Sequence, residues 1–198
     1  AAAPMAQRYN EYIKSHSGDL TPGDTPRPSV DSDTDRVYLT LPVTDAALSL
    51  ELLSSLEDAG AKATFLFTEK QLADSGDLLR RLRVGGSAVA LRIDAATAAE
   101  ALAQIERGND ALWHAASLRT RLVYLESADR TLRAAVVGAG YCPITINTSD
   151  FTRSGTHWAD TALKWAGRST SVRLYLGAES GVSSALGTAL SRLRAENC

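Results

Sequence analysis

From Arg36 onward the sequence alternates between short apolar segments and longer amphipathic segments, and this order constrains the fold more than any other feature. Six apolar segments have the composition of strands: VYLTL, KATFLF, SAVALRI, RLVYL, CPITIN and SVRLYLG. Because a segment with helical spacing follows each of them, the strands should run parallel and be joined by right-handed crossovers. The pattern predicts an α/β fold, an incomplete or distorted (β/α) barrel of six to seven parallel strands. An open doubly wound sheet is the alternative.

The helical segments carry leucines at three- and four-residue spacing and end at glycines, as at Gly60 and Gly86. The longest of them is AATAAEALAQIERGNDALWHAASL. We expect it to be broken near Gly108, because a glycine weakens the interior of a helix.

The first 35 residues differ in composition from the rest of the chain. Four of the six prolines fall there, and the run SHSGDLTPGDTPRPSVDSDTD is polar and rich in turn formers. We interpret residues 1–35 as an arm or linker and residues 36–198 as one domain. Apolar side chains at helical spacing within residues 5–13 allow either a short helix that docks on the domain or a disordered tail.

Composition and charge exclude some classes of partner. With 44% hydrophobic and 22% charged residues, the chain can form a packed core. The net charge is -2 and no basic stripe stands out, so nucleic acid is not expected as a partner. No apolar run approaches the roughly 20 residues that a membrane-spanning helix needs. The chain begins AAAP, which suggests a processed or truncated chain that has lost an export signal or a membrane anchor.

The two cysteines, Cys142 and Cys198, do not have the spacing of metal ligands. A disulfide between them is one interpretation for an exported protein. Two free thiols, with Cys142 buried, are the other.

The residues that follow the strands are the first candidates for a functional site, because chemistry in both architectures is located at the carboxyl ends of parallel strands. These residues are mostly polar or acidic, with one conspicuous arginine: Thr44, Asp45, Thr68, Glu69, Arg92, Asp94, Tyr124, Glu126, Asn147, Ser149, Asp150, Gly177 and Glu179. Many of them also have a purely structural interpretation. Thr, Ser and Asp in front of a helix cap its free N–H groups.

The order of these segments resembles the polysaccharide deacetylases, family-four carbohydrate esterases that remove acetyl groups from chitin, peptidoglycan or xylan. The resemblance covers residues 37–197. VYLTLPVTDAALSLELLSSLEDAGAKATFLF is similar to the family's opening strand, Asp-Asp motif, helix and KATFF-type strand. AAEALAQIERGNDALWHAASLRTRLVYL resembles the helix and strand that lead into its Arg-x-Pro-Tyr motif. RTLRAAVVGAGYCPITINTSDF resembles the segment that ends in its Asp-x-x-Asp-Trp region.

The resemblance implies a metal-dependent mechanism whose residues are missing here. Family members hold a divalent metal with one Asp and two His, while a second Asp acts as base and a late His as acid. Pro42 and Val43 stand at the positions of the base and the Asp ligand, and Arg92 and Ala96 at those of the two His ligands. Proline and valine offer no ligand atom, and arginine stays cationic and would repel a metal ion. We therefore expect no metal cofactor.

The later motifs of the family are changed as well. Arg121 and Tyr124 match the Arg-x-Pro-Tyr motif, but Val123 replaces its proline. Asp150 and Phe151 stand where Asp-Trp is expected, and the final LYLG segment has no histidine. Metal site, base and acid are all absent from a framework that is otherwise preserved in order.

The main hypothesis is a noncatalytic deacetylase-like module of the cell envelope or the secreted space that binds a glycan or a protein partner. Its expected pocket residues are Asp45, Arg92, Asp94, Arg121, Tyr124 and Asp150. Arg92 would replace the charge of the metal by pairing with Asp45, Asp94 or Asp150. Arg121, if buried in its strand, would need a carboxylate partner.

An active hydrolase with a rebuilt, non-standard site is the alternative hypothesis. Its catalytic residues would be Asp45, Asp94, Asp150 and His157, because paired acids with split pKa values can divide the acid and base roles. His157 opens a helix and can reach the rim, whereas His114 is expected on the surface or in packing. A third hypothesis is an ordinary α/β domain with an unrelated function.

Overall fold

The structure is a computed structural model that describes residues 36–152, 154–166, 171–177 and 182–196. The strands are β1 (Arg36–Pro42), β2 (Ala63–Phe67), β3 (Ala88–Ile93), β4 (Leu122–Leu125), β5 (Cys142–Pro143), β6 (Thr148–Asp150) and β7 (Ser171–Leu176). The helices are α1 (Ala46–Asp58), α2 (Glu69–Leu72), α3 (Gly76–Gly85), α4 (Ala98–Ala116), α5 (Arg130–Gly138), α6 (Gly155–Ala166) and α7 (Val182–Ala195). The expected arm, Glu179 and Cys198 lie outside the described residues. The domain boundary and the disulfide therefore stay predictions.

All these strands belong to one parallel sheet with the order β5-β4-β3-β2-β1-β7-β6. In the central strand β1, Leu39 pairs with Ala63 of β2 on one side and with Leu174 of β7 on the other. Parallel neighbours need long crossovers, and helices supply most of them here. The predicted parallel α/β architecture is confirmed.

The sheet is curled, because only residues 144–147 separate its two edge strands, β5 and β6. A flat sheet of this size would hold its edges about 29 Å apart, at about 4.8 Å per strand. The five Cα steps available reach at most about 19 Å. The main-chain N–H of Ile144 donates to Val123 of β4 (2.7 Å), and that of Asn147 donates to Arg173 of β7 (3.0 Å). The fold is therefore an incomplete barrel, and the open doubly wound alternative is wrong.

The segment CPITIN is not one strand, contrary to the prediction. Cys142 and Pro143 pair with β4, whereas the residues that pair with β7 begin only at Thr148. The alternation of apolar residues is the same whether a segment pairs with one neighbouring strand or passes from one strand to another. The sequence pattern therefore could not separate β5 from β6.

Alternation along the strands divides the apolar side chains into two layers. The barrel interior contains Leu66, Ala90 and Tyr175, with Leu122, Tyr124, Ile144 and Ile146 packed against them. The layer between sheet and helices includes Leu41, Phe65, Leu91 and Leu174. Burial on both faces is typical of a parallel sheet covered by helices. Inner-face residues near the carboxyl ends of the strands are directed to the open end of the barrel, called the barrel mouth below.

Helix α4 is continuous through Gly108, contrary to the expected break. The reason is close packing against β3, because a Cβ built on Gly108 would lie 2.8 Å from Cδ2 of Leu91. The glycine permits helix and strand to approach each other and does not interrupt the helix. No helix among the described residues is long and apolar enough to cross a membrane.

Candidate binding site at the barrel mouth

An ion pair between Arg92 and Glu126 lies at the barrel mouth. Arg92 is the penultimate residue of β3, and Tyr124 of β4 is its partner in the sheet. Glu126 follows β4, where its main-chain N–H donates to Ile93 (3.0 Å). Nε of Arg92 donates to Oε1 of Glu126, and both side chains are about two-thirds buried. The guanidinium keeps further N–H donors for other groups.

The ion pair stabilises the charged form of Arg92. Burial alone would lower the pKa of Arg92, but the hydrogen bond and the charge of Glu126 outweigh it, so the pKa is raised. Burial, followed by the charge of Glu126, raises the pKa of Tyr124. Burial likewise raises the pKa of Tyr175. At neutral pH the mouth therefore holds a permanent cation beside two protonated phenols.

Three aromatic rings contact one another in series beside this ion pair. The ring centroids of Tyr124 and Tyr175 lie 5.6 Å apart, and those of Tyr175 and Phe151 lie 5.9 Å apart. Phe151 follows β6 and is 70% exposed, whereas Tyr175 is buried. We call these three residues the aromatic wall. Its solvent-exposed part is mainly the ring of Phe151, which lies next to charged and phenolic donors.

Asp150, at the end of β6, is a buried carboxylate with several hydrogen-bond donors. Its Oδ1 accepts from the main-chain N–H (2.9 Å) and Oγ1 (2.7 Å) of Thr152. Its Oδ2 accepts from Oγ1 of Thr161 (3.2 Å) and lies 2.6 Å from Nδ1 of His157. Burial acts to raise the pKa of Asp150, but hydrogen bonds from Thr152, His157 and Thr161 outweigh it, so the pKa is lowered.

The structure brings some of the predicted site residues together and separates others. Asp45 is exposed, and its Oδ1 accepts from the N–H of Leu48 (2.9 Å), so it caps α1. Asp94 is exposed, and its main chain exchanges two hydrogen bonds with the amide of Gln104. No contact joins Asp45 or Asp94 to the Asp150–His157 pair within the described residues. His114 is exposed on α4, as expected.

The predicted aspartate partner of Arg92 is wrong, and Arg121 is not buried, so it needs no carboxylate partner. Arg92 pairs with Glu126 and not with an aspartate, because Glu126 follows β4, which is hydrogen-bonded to β3 in the sheet. Arg121 precedes β4 and therefore lies at the amino end of the sheet, away from the barrel mouth. It is exposed, and its Nε donates to the carbonyl of Gly140 (2.7 Å). The charge of this exposed guanidinium is hydrated by solvent. Cys142, expected to be buried, is exposed at the sheet edge.

The residues at the expected metal positions do not fit a metal ion. Val43 is 1% exposed and packs in the layer between sheet and helices. Pro42 is buried and offers no donor atom, and Arg92 is a cation held by Glu126. Within the described ranges, no group of three or more His, Cys, Asp or Glu side chains could hold a metal ion.

Two cavities adjoin the described helices. A cavity of about 130 Å³ lies between β3 and α4, beside Arg92, and is lined also by Glu69, Gln104 and Arg107. A larger one of about 440 Å³ lies between α1 and α7 and is lined mainly by serines, with Asp58 and Arg194. The larger cavity does not reach the residues of the barrel mouth.

Solved structures of carbohydrate esterase family 4 share this fold. The family 4 carbohydrate esterase from Streptomyces lividans gives a TM-score of 0.67 at 15% identity, covering 83% of this chain and 90% of that chain. The peptidoglycan deacetylase PdaC from Bacillus subtilis gives 0.66 at 17% identity, covering 85% and 87%. At such identities the likeness shows the fold alone: the chain adopts the polysaccharide deacetylase fold. No protein-family model matches the sequence, and no curated protein is a significant match.

Some of the similar structures are pseudoenzymes. A CE4 family pseudoenzyme from Bacillus anthracis gives a TM-score of 0.64 at 16% identity, covering 83% of this chain. This chain spans only 62% of the length of that protein. A mutant of the same pseudoenzyme is described as having restored enzymatic activity.

The sequence pattern did not identify the aromatic wall or the partner of Arg92. Tyr175 alternates with Leu174 and Leu176, both of which pack outward. That period of two was the available signal that Tyr175 faces the barrel interior. For Glu126 the signal was weaker, because its contact with Arg92 depends on the register between β3 and β4.

Proposed function

We propose that this chain is a noncatalytic deacetylase-like module that binds a glycan at its barrel mouth, in the cell envelope or the secreted space. The ion pair between Arg92 and Glu126 carries the proposal. It places a permanent cation at a position where the resemblance calls for a neutral metal-binding histidine. A cation there repels a divalent metal and supplies donors for a neutral or polar ligand.

The chemistry available at the mouth supports binding better than acetyl hydrolysis. Pro42 and Val43 can neither take a proton nor hold a ligand, and the phenols of Tyr124 and Tyr175 keep their protons at neutral pH. The buried Asp150 has its oxygens engaged by Thr152, Thr161 and His157, so it is poorly placed to activate water.

The aromatic wall supports a glycan as the ligand. Sugar rings have apolar C–H faces that pack on aromatic side chains, and an exposed ring such as Phe151 is available for this contact. The free N–H groups of Arg92 can donate to acetamido or hydroxyl oxygens next to that surface. The similar structures include a peptidoglycan deacetylase, which favours a cell-wall glycan and a location at or outside the cell surface.

Binding of N-acetylglucosamine oligomers, measured by calorimetry, tests the proposal. Phe151→Ala should weaken binding about fivefold, because packing of a sugar ring on an aromatic ring is worth on the order of 1 kcal/mol. Trp113→Ala is the matched control, since it removes an exposed aromatic ring on α4, away from the mouth. Equal losses in both variants, or no binding by the wild type, contradict a glycan site at the mouth.

The same samples distinguish the other hypotheses. Release of acetate from the oligomers by the wild type, abolished in Asp150→Asn, would establish the rebuilt hydrolase instead. Absence of glycan binding, together with a stoichiometric complex with a purified envelope protein that Phe151→Ala disrupts, would assign the mouth to a protein partner.

A further inference from the structure

Asp150 fixes the main chain on both sides of Phe151. It directly precedes Phe151, and its Oδ1 accepts two hydrogen bonds from Thr152, the next residue. The carbonyl of Thr152 accepts from Nε1 of Trp158 (2.8 Å), and Trp158 is 1% exposed. The peptide that carries Phe151 is thereby attached to the buried end of α6. The position of the ring against Tyr175 depends on this attachment.

The second oxygen of Asp150 contacts the imidazole of His157, which is open to solvent. Nδ1 of His157 lies 2.6 Å from Oδ2 of Asp150 and 3.4 Å from Oγ1 of Thr152. The His157 side chain is 58% exposed, whereas that of Asp150 is 3% exposed. Protons can therefore reach the imidazole from solvent while the carboxylate stays buried. An imidazolium donates a stronger, charge-assisted hydrogen bond than a neutral ring.

Other charged groups on the packed elements do not form an ion pair with His157 within the described residues. They are Asp160 and Lys164 on α6, Arg192 and Arg194 on α7 and Arg173 on β7. Asp160 is paired with Arg192 at 2.5 Å. Asp150 is thus the carboxylate that responds directly to the charge of His157.

We propose that Asp150 and His157 act as a pH-sensitive positioning pair for the aromatic wall. The pair tightens when His157 is protonated and holds Phe151 against Tyr175. It loosens when His157 loses its proton, and the ring then moves more freely. The effect on a ligand rests on the proposed function, whereas the effect on Phe151 itself does not.

Fluorine NMR of protein labelled with 4-fluorophenylalanine tests the pair without any ligand. The chain has three phenylalanines, of which Phe65 and Phe67 are fully buried and Phe151 is exposed. Phe151→Leu assigns the Phe151 signal. Between pH 5 and pH 8 this signal should shift along a one-proton curve while the two core signals stay fixed.

His157→Asn is the matched variant, because its amide can donate to Asp150 in place of Nδ1 but does not titrate. In this variant the Phe151 signal should be independent of pH over the same range. A wild-type signal that does not titrate, or an equal shift in His157→Asn, overturns the proposal. If His157→Asn does not fold, Asp150→Asn must abolish the titration for the proposal to stand.

Binding of N-acetylglucosamine oligomers at pH 5.5 and pH 8 measures the consequence for the mouth. The wild type should bind about 3- to 10-fold more weakly at the higher pH, the range expected for one exposed charge-assisted hydrogen bond. His157→Asn should bind equally at both. A titrating Phe151 signal without any ligand binding would refute the glycan proposal and leave the positioning pair intact. Binding that depends on pH equally in His157→Asn would refute the pair alone.

Discussion

Asn109 is the most informative residue for testing how helix α4 positions the barrel mouth. It is 3% exposed, and its amide forms two hydrogen bonds with the main chain of Thr120. Oδ1 accepts from the N–H of Thr120 (2.8 Å), and Nδ2 donates to its carbonyl (3.1 Å). Oγ1 of Thr120 in turn donates to Val89 of β3 (2.7 Å). The amide therefore holds the start of β4, the strand that carries Tyr124 to the mouth.

Asn109→Ala should lower the free energy of unfolding by about 2–3 kcal/mol. Each lost hydrogen bond contributes about 1 kcal/mol, and the half-buried main-chain groups of Thr120 add a further desolvation cost of about 1 kcal/mol. For a domain of this size, 1 kcal/mol corresponds to about 2–4 °C in Tm, so a fall of about 4–12 °C is expected. Urea unfolding followed by circular dichroism measures the difference.

Asn147→Ala is the matched control. The amide of Asn147 also bonds a main chain, accepting from the N–H of Arg173 (2.8 Å), but it is exposed and makes one such bond. Its loss should cost at most about 1 kcal/mol, because water can replace the donor. An Asn109→Ala variant within about 0.5 kcal/mol of the wild type, or equal to Asn147→Ala, refutes the assigned role.

Further predictions concern close packing and acid stability. Gly155→Ala should destabilise by about 3 kcal/mol or more, since its Cβ would lie 1.9 Å from the Ala185 carbonyl oxygen. Gly187→Ala, whose Cβ meets nothing within 4 Å, should be neutral or stabilising by up to about 1 kcal/mol. If Gly155→Ala and Gly187→Ala change the thermal unfolding temperature equally, the close contact between α6 and α7 is contradicted. Gly108→Ala should cost less than Gly155→Ala, because the Leu91 side chain can rotate away, and the reverse order would contradict this packing. Because the pKa of Asp150 is lowered in the folded state, its ionised carboxylate stabilises the fold at pH values above the ordinary carboxyl pKa of about 3.9. This stabilisation is lost as the pH falls through the lower pKa of the folded state. In Asp150→Asn the free energy of unfolding, measured by urea titration, should therefore depend less on pH between about pH 5 and pH 2. An unchanged pH dependence would contradict the lowered pKa of Asp150.

The sequence predicted the fold well because the fold depends on alternation, which is a local pattern. The segments VYLTL, KATFLF, SAVALRI and RLVYL correspond to β1 to β4, and their order implied a parallel sheet. The exceptions depend on tertiary contacts. CPITIN divides because it connects the two edges of the curled sheet, and α4 stays continuous because Gly108 packs against Leu91.

The candidate site was predictable only in part. The carboxyl ends of the strands identified Arg92, Tyr124 and Asp150 as mouth or rim residues, and His157 was expected to reach the rim from the start of its helix. The partner of Arg92 lies 34 residues away and is selected by the register of two strands. No single-sequence pattern specifies that register.

Arg92 holds a guanidinium at the barrel mouth, where the resemblance calls for a metal-binding histidine. Anomalous diffraction at the zinc absorption edge, from crystals grown in excess zinc, tests this most directly. We expect the contact between Arg92 and Glu126 to be intact and no zinc between the tips of β1 and β3. A fully occupied zinc ion bound at that position in the wild type would contradict the account.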